Sequence, residues 1–95
     1  MNKEALIAKI KTLEAPDFVR DPVTRKFVEK MRPPYVFERE GKVFVSAEDG
    51  CFFADYYGEF RGGYPWIDPK LEELAKEFKG YWEWENPGCI FFVEN

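Results

Sequence analysis

The sequence predicts an α+β domain: an antiparallel sheet of about five strands, with helices packed mainly on one face, in the order α-α-β-β-β-α-β-β. Three observations carry this. Residues 69–79 place Leu71, Leu74, Ala75 and Phe78 at i, i+3, i+4 and i+7, one stripe of a 3.6-residue period. Residues 81–85, Tyr-Trp-Glu-Trp-Glu, alternate with period two. Glu40-Gly41 and Asn86-Pro87-Gly88 each interrupt apolar runs with turn chemistry.

In chain order, residues 3–14 predict an amphipathic helix. Leu6, Ile7, Ile10 and Leu13 form its stripe, Asn2 caps its start and Pro16 lies just past its end. A second, shorter helix is expected over 22–31. Asp21 suits the N-cap and Pro22 the first helical position, and Val23, Phe27 and Met31 recur every four residues. Pro33-Pro34 ends it by pushing Arg32 out of helical space.

Residues 35–46 read as a hairpin. With Glu40-Gly41 as a two-residue turn, Phe37 pairs with Phe44 and Val36 with Val45. Residues 51–57 fit either a helical or a strand pattern. Asp49-Gly50 directly before them and their density of aromatic rings favour a strand. GEFRGGY, from Gly58 to Tyr64, is a glycine-rich loop.

Asp68 and Pro69 open the 69–79 helix, Glu72 and Lys76 are placed for an i, i+4 pair, and Gly80 stands where a left-handed C-terminal residue belongs. The closing hairpin sets Trp82 and Trp84 on one face and Glu83 and Glu85 on the other, turns through Pro87-Gly88 in a type II turn, and returns as Cys89–Val93. That last run is apolar on both faces and therefore central in the sheet.

The chain has 95 residues, which suits one compact domain spanning residues 1–95. A chain of this size buries roughly 65% of its extended surface on folding, enough for a core without disulfide staples. It is 45% hydrophobic and 19% aromatic, too apolar for a disordered chain. No apolar run approaches the ~18 residues of a spanning helix, so no membrane partner is expected. The opening MNKEALIAKIK lacks an apolar signal-peptide core, which gives cytoplasmic localisation as the expectation. High Glu and Lys with no Gln resembles thermophile composition.

Absent residue types exclude several chemistries. Without histidine there is no Ser–His–Asp or Cys–His nucleophile and no zinc site built on imidazole. Cys51 and Cys89 lack ligand spacing and read as small buried hydrophobes rather than a disulfide. Glu48, Asp49 and Asp55 lack EF-hand spacing, and Asp55 with Glu59 is a carboxylate pair that nothing sets at a catalytic separation. The expectation is a non-enzyme with no cofactor and no metal.

Charge is unevenly spread. Residues 1–34 carry eight Lys/Arg against five Asp/Glu; residues 35–95 carry six against thirteen. Such polarisation bears on association more than on fold. The candidate binding residues lie at 55–66: Tyr56, Tyr57, Glu59, Arg61, Tyr64 and Trp66. Tyr, Trp and Arg dominate interface hot spots, and glycines let a backbone approach a partner closely. The functional expectation is a recognition domain that binds another protein through this loop and neighbouring acidic strands, a homodimer being the simplest version.

The alternative is a nucleic-acid-directed protein. It would be either a binder through the basic segment 20–32 or an acidic mimic presenting Glu38, Glu40, Glu48, Asp49, Asp55, Glu59, Glu83 and Glu85 to a DNA-binding protein. The acidic C-terminal part weighs against binding phosphate directly.

Overall fold

A computed structural model describes residues 2–48, 53–56 and 65–95, with the backbone alone for 16–19. The elements in order are α1 (Lys3–Lys11), β1 (Ala15–Arg20), β2 (Phe27–Arg32), β3 (Val36–Arg39), β4 (Lys42–Ser46), β5 (Ala54–Asp55), β6 (Trp66–Ile67), α2 (Pro69–Glu77), β7 (Gly80–Asn86) and β8 (Cys89–Glu94). The α+β class holds. The main sheet is antiparallel with four strands in the order β3-β4-β8-β7, and β1-β2 and β5-β6 form separate two-stranded ribbons.

Both helices start as their sequence dictates. The Asn2 side chain accepts from the Ala5 N–H at 3.1 Å, and Asp68 accepts from the Lys70 N–H at 2.8 Å ahead of Pro69. Each satisfies a donor that the first helical turn leaves open. Leu6 and Ile10 of α1 and Leu71, Leu74 and Ala75 of α2 are buried in one cluster with Val43, Val45, Trp82, Ile90 and Phe92. Those sheet residues share one face by register, since Val45 opposes Ile90 and Trp82 opposes Phe92. Both helices therefore cover the same face. β8 is central, as its two-sided apolar sequence requires.

The β3-β4 hairpin has the register its turn predicts, Phe37 opposite Phe44 and Val36 opposite Val45. Glu40 and Gly41 take φ of 53° and 76°, as a two-residue hairpin turn demands of both central positions.

The expected helix over 22–31 is not formed. Asp21 does cap: its carboxylate accepts from the Val23 N–H at 2.8 Å, and the Arg25 N–H reaches the Asp21 carbonyl at 2.8 Å. That single turn ends when Arg25 enters left-handed space at φ 60°. The chain then runs back as β2 with Arg20 opposite Phe27 and Ala15 opposite Arg32. The four-residue recurrence of Val23, Phe27 and Met31 is compatible with a turn followed by alternation, with Phe27, Glu29 and Met31 on one side of a strand.

Three smaller expectations also change. The left-handed residue after α2 is Lys79, at φ 60°, not Gly80. Gly88 does not take the positive φ of a type II turn; its N–H is held by the Asn86 side chain at 2.7 Å. Lys76 reaches Glu73 at 3.5 Å rather than Glu72. Of the strand expected over 51–57, Ala54 and Asp55 are extended and pair with Ile67 and Trp66.

Candidate recognition surface

Two of the six predicted binding residues lie within the described structure. Tyr56 is half-buried, its ring meeting Trp84 edge-on at 5.1 Å. Trp66 is half-buried on β6, opposite Asp55. The fold thus brings these two to one ribbon beside β7. Tyr57, Glu59, Arg61 and Tyr64, with Cys51 and Asp49, lie outside the described residues. Asp55 is buried, so it does not belong to a solvated acidic face. Glu38 is tied to Lys3 at 2.9 Å, while Glu40, Glu48, Glu83 and Glu85 are exposed.

The sheet face opposite the helices carries an aromatic ladder that sequence reasoning left unassembled. Tyr35 lies 5.6 Å from Phe37, Phe37 stacks on Phe44 at 5.2 Å with the planes 7° apart, and Phe44 tilts against Phe91 at 5.6 Å. The guanidinium of Arg39 sits 4.5 Å above the Phe44 ring and the ammonium of Lys42 4.7 Å above Phe91. Each cation meets the negative face of a ring and lays its alkyl stem over apolar surface. Phe44 is buried on this face, which neither described helix covers. The signal was present in the sequence: a one-face reading of the 35–46 hairpin register puts Phe37 and Phe44 together.

Beside the ladder is a shallow groove of about 380 Å³ between Tyr35, Phe37, Ser46, Glu48 and Cys89. The Cys89 thiol is free and buried, and its pKa is raised, first by burial and then by Glu85, with Arg39 opposing. Burial and the Glu85 charge therefore favour the neutral thiol over the thiolate. Among the described residues no group of three or more Cys, Asp or Glu side chains could hold a metal ion.

The β1-β2 ribbon is the most exposed apolar feature among the described residues. No described helix or strand packs closely on it, and the molecule is 46 Å long but 26 and 23 Å across. Val23, Phe27 and Met31 are 88%, 72% and 55% exposed. Residues 15–32 also carry Arg20, Arg25, Lys26, Lys30 and Arg32 against three acids. The basic segment 20–32 is thus spread along a two-stranded ribbon and its turn, not gathered on one side of a helix.

The chain matches no known family model, no curated protein and no solved structure. Among the described residues no helix is long and apolar enough to cross a membrane.

Proposed function

We propose that this chain is a non-catalytic recognition module that binds another protein. The observation that carries the reading is the ribbon with its turn, which holds Val23, Phe27 and Met31 in solvent, three of the five large hydrophobic side chains exposed among the described residues, the others being Tyr35 and Tyr81. Large exposed apolar groups gathered on one projecting element mark interaction sites more often than scattered single residues do.

The 55–66 loop supplies the second part of the surface in this reading. Tyr56, Tyr57 and Trp66 serve as anchors beside Tyr64, Arg61 as a bidentate hydrogen-bonder and Glu59 as an electrostatic guide. Pull-down from source-cell lysate with the native chain, Phe27→Ser, and Tyr57→Ala with Trp66→Ala tests this. The expected result is loss of the same captured proteins in the variants, with unchanged circular dichroism. Full retention of every partner by all variants would reject it.

A second reading is favoured by one feature, the five cations of residues 15–32, which suit a phosphate backbone. A mobility shift with duplex DNA that weakens steeply with added salt, and vanishes in Lys26→Glu/Lys30→Glu, supports that reading. No shift at low salt removes it.

A further inference from the structure

We infer that the β1-β2 ribbon is a dimerisation arm that docks reciprocally on the acidic β7 edge of a second copy of this chain. The inference rests on the protein-recognition reading and names its partner. An isolated two-stranded ribbon is only marginally stable in water and gains from a further strand or a packed surface. Among the described residues none is provided: no described helix or strand of the body packs closely on the ribbon.

The ribbon also leaves the body on the wrong side to reach its own β7. It feeds through Pro33-Pro34 directly into β3, and β3 and β7 are opposite edges of the sheet. No described strand pairs with the outer edge of β7.

Charge selects the same pairing. Residues 15–32 carry a net +2, and the remainder of the chain, with nine Lys/Arg and fifteen Asp/Glu, a net −6. On β7 the exposed Glu83 and Glu85 alternate with the inward tryptophans, and Tyr81 adds an exposed ring. On β2, Lys30 shares a side with Val28, while Phe27 and Met31 offer apolar surface on the other. A basic, apolar ribbon thus has an acidic, aromatic edge as its complement, and cross-strand opposite charges favour that contact. Reciprocal docking about a two-fold axis closes the assembly, whereas one-way docking would propagate into filaments.

Light scattering across the micromolar range on two charge-reversed variants decides the matter. Lys26→Glu/Lys30→Glu reverses the arm and Glu83→Lys/Glu85→Lys reverses the edge, all four positions being exposed. The native chain is expected to be a dimer that weakens with salt. Each variant alone is expected to be a monomer, and an equimolar mixture to regain the dimer mass, because each reversed arm then meets a reversed edge. Phe27→Ser/Met31→Ser, changed only at exposed positions, is expected to be a folded monomer.

A native chain that stays monomeric overturns the inference while leaving the recognition reading to its pull-down. A dimer that persists in both charge variants overturns the docking site alone. A native monomer that shifts duplex DNA through the same lysines replaces the second copy with nucleic acid.

Discussion

The indole Nε1–H of Trp82 donates a 2.7 Å hydrogen bond to the backbone carbonyl of Leu71. One residue lies on the edge strand β7 and the other in the first turn of α2, both buried. The bond fixes where the helix sits along the strand, and the ring itself meets Phe92 edge-on at 5.7 Å. Trp82 therefore joins the helix layer to the sheet by a directional contact as well as by apolar area.

Trp82→Phe removes the donor and leaves a void where the second ring stood. Losing a buried hydrogen bond and part of a large side chain together costs about 1–3 kcal/mol. Urea unfolding of the variant should show a lower midpoint with an unchanged slope. Trp82→Ala should cost about 3–5 kcal/mol by the cavity alone.

Gly80 and Lys79 exchange the roles that the helix-stop pattern assigns them. A Cβ at Gly80 would stand 2.3 Å from the backbone carbonyl oxygen of Val93 and 2.3 Å from Cζ of Phe92. The backbone contact has no flexible side chain to yield, so Gly80→Ala should destabilise by about 1–3 kcal/mol or more. Lys79 carries the positive φ, so Lys79→Gly should be neutral or stabilising, up to about 1 kcal/mol. The thermal midpoint of Gly80→Ala should fall, and that of Lys79→Gly should hold or rise.

The parts of the fold legible in sequence are those where local and long-range demands agree. At α2 the cap, the proline and the apolar stripe all specify one helix, and at 35–46 the turn and both flanking runs specify one register. At 21–32 they disagree. Asp21 and Pro22 start a turn, but Val28, Lys30 and Arg32 alternate against Phe27, Glu29 and Met31, and only Arg25 in left-handed space decides between helix and return strand. A positive φ at arginine has no sequence signature of the kind glycine provides. The pairing of Ala15–Arg20 with Phe27–Arg32 was hidden for the same reason, because β1 contains Pro16 and follows α1 without a turn motif. Of the candidate surface, the rings were legible as residue types. Their assembly into the Tyr35–Phe37–Phe44–Phe91 ladder needed the sheet order, which brings β8 beside β4.

The ribbon turn offers a direct check on that explanation. Arg25→Gly removes the strain of a left-handed arginine and should protect the ribbon amides by up to about 1 kcal/mol. Asp21→Ala removes the acceptor for the Val23 N–H and should loosen them by about 1 kcal/mol, the usual worth of such a cap. Native-state hydrogen exchange on residues 15–32 reads both. Global unfolding should change little, since no described helix or strand of the body packs closely on the ribbon, an arrangement that lets it open as its own unit.

Cys89 makes the last prediction, in pH. Burial first, and then the charge of Glu85, raise its pKa above the ordinary 9.0. The folded chain therefore keeps the thiol proton where the unfolded chain releases it, and the folded state binds more protons above that value. By linkage, stability from this site is intact below pH 9.0 and declines as pH rises through the folded value. Comparing Cys89→Ala with the native chain cancels the lysines and tyrosines that titrate nearby. The stability difference between the two should be flat from pH 6 to 8 and shift in favour of Cys89→Ala at alkaline pH. In a Cys51→Ala background, an aromatic disulfide reagent at neutral pH should react with Cys89 far more slowly than with the urea-unfolded chain. Equal rates would show a thiol exposed in the folded protein, and the groove beside Tyr35 and Phe37 would then be open to its floor.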